Sequence, residues 1–439
     1  MRGMQNFRRL WIGQTVSQLG SGLTRFGLGV WVYLETGSVL ALGTMLVFGM
    51  LPVAIGSIIA GPIVDRLNRK RVLIVSDIVA GASSAGLASI YFLGQLEFWH
   101  VYIALAINAT ASAFQLPAYH SSIPLIAPRE HLSKTSGLIE LSRSLESVLS
   151  PLLGGVVLGV VGIGGLFAID LLSLIFAIAC LAFTTIPQTR PDSQVASQPS
   201  SFIGSIAEGL RFLRQDKSLA QLMLFLTTVT FFLGFSQALY VPLVESFTAP
   251  VYVGAIVAAI GMGTIAGSSL LTVWGGPRRK VASILVGTAG FGVGVATAGI
   301  YPSLVFTSLG FFIMGAASAF SVGLNRAIYQ ERTPNKLLGR VFSVRVTLSV
   351  SAQALGMLLA SPIVNLFNEV LEGLLSWGKM GAIWVGQEPM GIGVAFVAAG
   401  ITIVGLSVAS FGNSTLLNLD NDLDPIPLSK SEELDGSTA

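Results

Sequence analysis

The chain is poor in charged residues and in cysteine. Only 11% of its 439 residues are charged, whereas 52% are apolar, and the mean hydropathy is +0.76. This composition leaves too little polar surface to cover a water-soluble globule of such length, so lipid must solvate the chain. The one cysteine, Cys180, lies in an apolar run, which excludes an intrachain disulfide and a cysteine metal cluster. We expect no cofactor and no bound metal.

Sequence motifs for ATP hydrolysis and for catalysis are also missing. No G-x-x-x-x-G-K-[ST] phosphate loop occurs, which argues against an ATP-driven pump. His100, His120 and His131 lie near loops or span ends without the partners that a metal site or a nucleophile requires. We therefore expect that the chain is not an enzyme. Its net charge of +3 marks membrane topology and does not indicate nucleic-acid binding.

Twelve apolar segments are long enough to cross a membrane as helices. Their predicted bounds are 8–33, 40–64, 72–94, 99–126, 137–162, 165–186, 219–246, 253–275, 281–299, 302–330, 343–367 and 389–412. The loop over 368–388 mixes Leu and Trp with charged residues and is predicted to form a cap or interfacial helix. The predicted organisation is a six-helix bundle over 1–186, a linker over 187–218, a second six-helix bundle over 219–412 and an acidic tail over 413–439.

The linker is rich in Pro, Ser and Gln, which is typical of a flexible segment. A short amphipathic helix around 202–213 is an equally weighted alternative, because apolar residues there recur near the helical period. Loop cations fall almost entirely on one side of the membrane if the N-terminus is inside, with Lys379 as the exception. We therefore predict a bacterial plasma (inner) membrane protein with both termini in the cytoplasm.

A basic loop follows the second span. Residues 61–71 read GPIVDRLNRKR, and a fainter echo at 276–280 follows Gly267. Gly61 and Gly267 lie 206 positions apart, as do Pro128 and Pro334 in two other loops. One spacing that links two pairs of loops predicts a duplicated chain with two related halves.

This organisation resembles the major facilitator superfamily. The family loop reads G-x-x-x-D-R-x-G-R-[KR]-x, which this chain matches at Gly61, Asp65, Arg66, Arg69, Lys70 and Arg71. Asn68 replaces the usual glycine, and asparagine also tolerates a left-handed backbone. The resemblance implies an all-α integral membrane protein with 12 transmembrane helices in two pseudo-symmetric six-helix bundles. It also implies a transporter that works by alternating access.

The fifth span resembles an exporter motif of that superfamily, G-P-x-x-G-G. The matching segment is SPLLGG, with Ser150, Pro151, Gly154 and Gly155, in which serine replaces the first glycine. Proline kinks the helix and the glycines allow another helix to approach closely. Three further segments resemble those of one branch of the superfamily, which includes macrolide efflux proteins and the enterobactin exporter: Leu19-Gly20, Gln115 to Ala118 and Ile169-Asp170. Ser21 stands where that branch often has an acidic residue.

The resemblance implies a proton-coupled exporter of an amphipathic small molecule such as a drug, macrolide, siderophore or peptide product. An importer or a lipid flippase of the same fold is the alternative if SPLLGG only packs helices. A membrane receptor or enzyme is a third, less favoured class. The expected partners are the substrate, protons and the lipid bilayer, and the expected state is a monomer.

Charged residues within the spans need a partner or a purpose, because each costs about 2.5 to 3.5 kcal/mol to insert. The candidates for coupling or ion pairing are Arg25, Glu140, Arg143, Glu146 and Asp170. Glu140, Arg143 and Glu146 recur every three residues, which predicts either an ion-pair ladder or a proton-carrying Glu146. Asp170 is expected to pair with a cation such as Arg25.

Polar residues in the first, fourth, seventh and tenth spans are candidates to line a central cavity, which these four helices surround in the superfamily. They are Gln14, Gln18, Asn108, Gln115, Gln237, Asn325 and Arg326. Alternatively, such residues only bond neighbouring helices, each for about 1 kcal/mol.

The basic loop generates a first prediction. Asp65 at the end of the second helix is placed to accept hydrogen bonds from a neighbouring helix N-terminus and from Arg69, which latches the cytoplasmic side. We expect Asp65→Asn to lower the transport rate while the yield of folded protein, measured by size-exclusion chromatography, stays unchanged. A purely topological loop predicts unchanged transport, because the substitution leaves every cation in place.

Overall fold

The computed structural model describes residues 2–127, 132–187, 211, 216–274, 277, 279–333, 338–375 and 390–421. Within these ranges the chain is helical and contains no strand. The thirteen helices of the described residues are α1 (Arg2–Thr36), α2 (Val39–Arg66), α3 (Arg69–Phe92), α4 (Phe98–Ile126), α5 (Leu132–Val160), α6 (Ile163–Ala182), α7 (Lys217–Glu245), α8 (Pro250–Trp274), α9 (Lys280–Ile300), α10 (Leu304–Arg332), α11 (Leu338–Leu375), α12 (Met390–Phe411) and α13 (Ser414–Asn421).

Helices α1 to α12 coincide with the twelve predicted spans. By length and composition, 11 helices of the described chain are apolar enough to cross a membrane, and α1 is the exception. Helix α1 carries Gln14, Ser17 and Thr24, all of which are buried inside the protein. These three polar residues therefore face other helices, which makes a mixed composition compatible with a membrane span.

Polar side chains fix where several helices begin. The Ser38 hydroxyl accepts a hydrogen bond from the amide of Ala41 at the start of α2, and the Asp216 carboxylate accepts one from Leu219 at the start of α7. Asn68 caps α3 in the same way, and its φ of −69° is not left-handed. Asn68 therefore serves as an N-cap in an extended conformation and does not use the left-handed backbone that asparagine tolerates.

The two sets of six helices have the same internal packing. In the first set, α2 packs on α4, α3 packs on both α4 and α6, and α1 packs on α5. In the second set, α8 packs on α10, α9 packs on both α10 and α12, and α7 packs on α11. The order of partners repeats after six helices. The prediction of two pseudo-symmetric six-helix bundles is confirmed.

The bundles meet mainly through two helix pairs, α5 with α8 and α2 with α11. We call the end where α1 begins the near end and the opposite end the far end. A Cβ atom at Gly155 would lie 3.0 Å from the backbone nitrogen of Gly254, and one at Gly43 would lie 2.5 Å from the carbonyl oxygen of Met357. Glycine is required here because the backbones of the two bundles touch.

The buried apolar core follows the same division. One cluster contains residues of both bundles, such as Leu42 of α2, Val244 of α7 and Val253 of α8, and lies toward the far end. Near-end residues instead form two clusters, one within the second bundle around Tyr329 and one within the first around Phe7. The molecule is therefore joined at the far end and divided at the near end.

Two segments differ from their expected form. Helix α11 is 38 residues long and continues to Leu375, so the start of the loop predicted over 368–388 belongs to that helix. Asn368 Oδ1 accepts a hydrogen bond of 2.9 Å from the amide of Gly391, which ties α11 to α12. The region expected to be a tail begins with α13, whose buried Asp420 accepts hydrogen bonds from the amides of Val281 and Ala282 at the start of α9.

Three predictions lie outside the described residues. They concern the remainder of the 368–388 loop, the flexible linker with its alternative amphipathic helix, and the final part of the acidic tail.

The contact between α5 and α8 generates a second prediction. A Cβ atom at Gly254 would overlap the carbonyl oxygen of Pro151, and such overpacking costs about 1 to 3 kcal/mol. We expect Gly254→Ala to separate the bundles at the far end. Spin labels in the α1–α2 and α7–α8 loops should report a longer distance by double electron–electron resonance.

Gly405→Ala is the matched control, because no atom lies within 4 Å of a Cβ atom at Gly405 in α12. It should leave the measured distance unchanged. An unchanged distance in Gly254→Ala as well would show that this contact does not hold the far end closed.

Candidate functional site

A polar cavity of about 120 Å³ lies inside the first bundle. Residues of α1, α3 and α4 form most of its wall, and α5 and α6 complete it. Its polar lining residues are Gln14, Ser17, Gln18, Ser21, Thr24, Arg25, Asp77, Ser84, Asn108, Ser112, Gln115, Glu146 and Asp170. The structure therefore brings together seven residues that the sequence predicts for a site: Gln14, Gln18, Arg25, Asn108, Gln115, Glu146 and Asp170.

Asp77 is held by two amide side chains at one end of this cavity. It is 2% exposed, and it accepts hydrogen bonds of 2.6 Å from Gln115 Nε2 and 3.2 Å from Gln14 Nε2. Gln115 Nε2 also lies 3.1 Å from Gln14 Oε1. The three side chains join α1, α3 and α4. Sequence analysis did not select Asp77, although a carboxylate inside a span was the available signal.

Asp170 is held by two hydroxyl groups and not by a cation. It is 2% exposed, and it accepts hydrogen bonds of 2.6 Å from Ser84 Oγ and 2.8 Å from Ser21 Oγ. The expected ion pair with Arg25 is corrected accordingly. Ser21 occupies the position of the family acid, and its hydroxyl reaches the carboxylate that α6 supplies.

Arg25 instead lies opposite Glu146. Arg25 Nη1 is 4.0 Å from Glu146 Oε1, and the two side chains are 57% and 28% exposed. This distance makes the pair loose, so its partners separate at little cost. Lys280–Glu331 and Arg332–Asp216 also form ion pairs, both in the second bundle.

The predicted ladder of Glu140, Arg143 and Glu146 is therefore not formed in the described chain. Glu140 and Arg143 are both exposed. A spacing of three residues drifts around the helix, and of the three only Glu146 forms an ion pair with α1, through Arg25.

A second cavity of about 420 Å³ lies between the bundles. Arg25 and Glu146 line both this cavity and the polar one, so the loose ion pair stands where the two meet. The other residues that line the second cavity are Gly22, Phe26, Gly29, Leu42, Leu46, Arg143, Ser147, Ser150, Pro151, Gln237, Tyr240, Val241 and Val257. Gln237 Oε1 accepts a hydrogen bond of 2.7 Å from Gln353 Nε2, which links α7 to α11.

The SPLLGG segment lies at the contact between the bundles. A Cβ atom at Gly154 would lie 2.9 Å from the carbonyl oxygen of Leu23 in α1, whereas Gly155 faces Gly254 of α8. Ser150 and Pro151 line the second cavity. The segment is thus the place where α5 contacts both its own bundle and the other one.

The basic loop stabilises the near end of the first bundle. Lys70 Nζ donates hydrogen bonds of 2.9 Å and 2.8 Å to the carbonyl oxygens of Ala182 and Thr184, at the end of α6. A cation there satisfies free carbonyl groups of the helix terminus. The side chains of Asp65 and Arg66 lie outside the described residues, so the predicted latch stays a prediction.

The amides expected in one central cavity are divided among three cavities. Gln237 lies between the bundles, whereas Asn325 lines a third cavity of about 230 Å³ inside the second bundle. Arg326 is exposed and lines none of the three. These cavities are distinct in the described state, and the lining of one central cavity by these residues stays a prediction.

Comparison with known proteins agrees with this architecture. Residues 10–357 match the family model of the Major Facilitator Superfamily. Macrolide efflux protein A of Streptococcus pyogenes is 29% identical over 365 residues, which cover 81% of this chain and 88% of that protein. The multidrug efflux pump Tap of Mycobacterium tuberculosis is 27% identical over 325 residues, covering 72% of this chain and 77% of that protein.

Solved structures share the fold at low sequence identity. A variant of the nucleoside transporter NupG superposes with a TM-score of 0.71 at 12% identity, covering 92% of this chain and 100% of that one. An auto-inhibited peptide transporter of the POT family also gives a TM-score of 0.71, at 11% identity and with 96% and 98% coverage. Because the family model spans most of the sequence and the helices pair as two six-helix bundles, the chain belongs to the major facilitator superfamily and is a multi-pass membrane transporter.

Proposed function

We propose that this transporter is a proton-coupled exporter of amphipathic small molecules. The observation that carries the proposal is the position of Glu146. This carboxylate is loosely paired with Arg25, and it lines both the polar cavity of the first bundle and the cavity between the bundles. A proton on Glu146 removes its attraction to Arg25 and so changes the cavity in which substrate binds.

Alternating access follows from the division of the molecule into a joined end and a divided end. A conformation in which the bundles are joined at the far end and have separate cores at the near end is one of the two states that such a cycle requires. Loop cations favour the near end as the cytoplasmic side. In this orientation the described state admits substrate from the cytoplasm, which is the loading state of an exporter.

The cavity between the bundles favours an amphipathic substrate. Apolar side chains such as Phe26, Leu42 and Leu46 form part of its wall, and Gln237 and Tyr240 supply polar groups. A mostly apolar wall with few polar groups is typical of sites for drug-like molecules. The efflux activity named for the macrolide and multidrug relatives supports the same substrate class and the outward direction.

An importer or a lipid flippase of the same fold is the second candidate. It is favoured by the packing role of SPLLGG, since Gly154 and Gly155 are required by backbone contact alone. The direction of transport must therefore be measured.

A monomeric state is part of the proposal, because each bundle buries its own cavity within one chain.

Inverted membrane vesicles test the direction and the energy source. We expect vesicles that contain the protein to accumulate a radiolabelled macrolide when respiration acidifies their interior, because export then runs inward. Accumulation should collapse when an uncoupler dissipates the proton gradient. Uptake that persists with the uncoupler excludes proton coupling, and uptake only into right-side-out vesicles establishes import.

A further prediction concerns Glu146 itself. Glu146→Gln keeps the shape of the side chain but cannot lose a proton, so we expect gradient-driven accumulation to fall at least about tenfold. Exchange of external for internal substrate should persist in reconstituted liposomes, because exchange needs the conformational change but no net proton movement.

Glu140→Gln is the matched control for this prediction. It makes the same chemical change in α5, at an exposed residue that lines neither cavity. Its accumulation should equal that of the wild type. Equal accumulation by the Glu146 and Glu140 variants would remove Glu146 from the coupling mechanism.

A further inference from the structure

The cavity of the second bundle contains a cation that faces no carboxylate of the described chain. Arg345 of α11 lines this cavity, and its Nη1 is buried with no hydrogen-bond partner among the described residues. Its Cζ lies 5.5 Å from the ring centre of Tyr329 and 5.1 Å from that of Phe342. These cation–π contacts do not satisfy the hydrogen-bonding capacity of Nη1, which stays available to a ligand.

Three further polar groups in the same cavity are buried and unpartnered within the described chain. They are Ser321 Oγ, Asn325 Oδ1 and the Tyr329 hydroxyl, and the three residues are 8%, 7% and 0% exposed, respectively. The oxygen and nitrogen of an amide exchange places on rotation, so Asn325 presents a donor as readily as an acceptor. Buried polar groups normally have partners, and four that converge on one cavity indicate a ligand.

Nearby carboxylates of the described chain are already paired. Asp216 accepts a hydrogen bond of 3.0 Å from Arg332 Nε and another from the amide of Leu219. Glu331 is paired with Lys280 at 2.5 Å. The electrostatic environment of Arg345 therefore favours an anion.

The rest of this cavity is apolar. Met223, Leu226, Leu233 and Phe291 line it alongside the polar groups. We infer that the cavity binds the carboxylate or phosphate group of an amphipathic molecule, with Arg345, Tyr329 and Asn325 donating hydrogen bonds to it. A planar guanidinium matches both anions, and charge-assisted hydrogen bonds are the strong ones.

This site is separate from Glu146 and does not depend on the direction of transport or on its energy source. Two sources can supply such an anion, a soluble organic acid or the headgroup of an anionic lipid. They share the chemistry that Arg345 recognises. A binding measurement on the resting protein tests the inference without any transport assay.

Titration calorimetry on the purified full chain in phosphatidylcholine nanodiscs tests it with three probes: octanoate, octyl phosphate and the neutral octanol. We expect the two anions to bind at least about tenfold more tightly than octanol. Arg345→Gln should remove this preference and leave octanol binding unchanged. Tyr329→Phe, which deletes one hydroxyl, should weaken the anions a few-fold.

Arg326→Gln is the matched control, because it removes the same charge from an exposed residue that does not line the cavity. Its anion affinity should stay within about twofold of wild type, since exposed charges are screened. If Arg345→Gln does not fold, Arg345→Lys keeps the charge without the planar fork and should lose part of the preference. Equal binding of octanoate and octanol by the wild type, or unchanged anion binding in the Arg345 variants, overturns the inference.

Nanodiscs that also contain phosphatidylglycerol distinguish the two sources. Weaker octanoate binding in these discs, seen in the wild type but not in Arg345→Gln, assigns the site to a lipid headgroup. An octanoate affinity that is the same with and without phosphatidylglycerol assigns the site to a soluble organic anion. Either result supports an oxyanion site in the second bundle.

Discussion

Lipid offers no hydrogen bonds, and this constraint governs every polar group in the twelve long helices. A carboxylate inside a span must find donors within the protein. Asp77 finds them in Gln14 and Gln115, and Asp170 finds them in Ser21 and Ser84. Each carboxylate fastens three helices of the first bundle, so the groups that are costly to bury also determine how α1, α3, α4 and α6 are arranged. Glu146 differs, because its ion-pair partner among the described residues, Arg25, is 4.0 Å away.

The two bundles repeat one helix arrangement but differ in the charge they enclose. Helices α1, α3, α4 and α5 of the first bundle correspond to α7, α9, α10 and α11 of the second, and each set lines an internal cavity. Gln115 and Ser321 lie 206 positions apart and line the two cavities. The first cavity holds Asp77, Glu146 and Asp170 with one arginine, whereas the second holds Arg345 and no carboxylate among the described residues. A duplicated scaffold thus encloses opposite charges, in keeping with the proton coupling proposed for the first bundle and the anion binding inferred for the second.

Sequence patterns predicted the spans well because lipid imposes a strong local rule. Each span needs about 20 apolar residues, and Gly, Pro and charged residues interrupt them, so bounds such as 99–126 agree with α4 to within one residue. The identity of the site residues followed from the same rule, since polar residues inside a span are rare. The hydrogen-bond and ion-pair partners of these residues could not be predicted from the sequence by this rule. Whether Arg25 reaches Asp170 or Glu146 depends on the rotation of α1, α5 and α6 about their axes, which tertiary packing decides.

Among the described residues, contact between backbones, and not ion pairing, joins the bundles at the far end. Four glycines face main-chain atoms of the other bundle: Gly43, Gly155, Gly254 and Gly261. The contact therefore consists of many weak dispersion interactions, which are lost together when the helices separate. A ligand or proton can shift such an equilibrium only by the difference in its binding free energy between the two states. Allosteric coupling free energies are typically about 1 to 3 kcal/mol. Forming or breaking one charge pair changes the free-energy difference between the two states by that order only where lipid and protein exclude water. Arg25 is 57% exposed in the described state, so the pair reaches that strength only when the cavities close around it. Its position beside Ser150 and Pro151 connects it to the contact between the bundles, because α5 carries both the carboxylate and the glycines that touch α8.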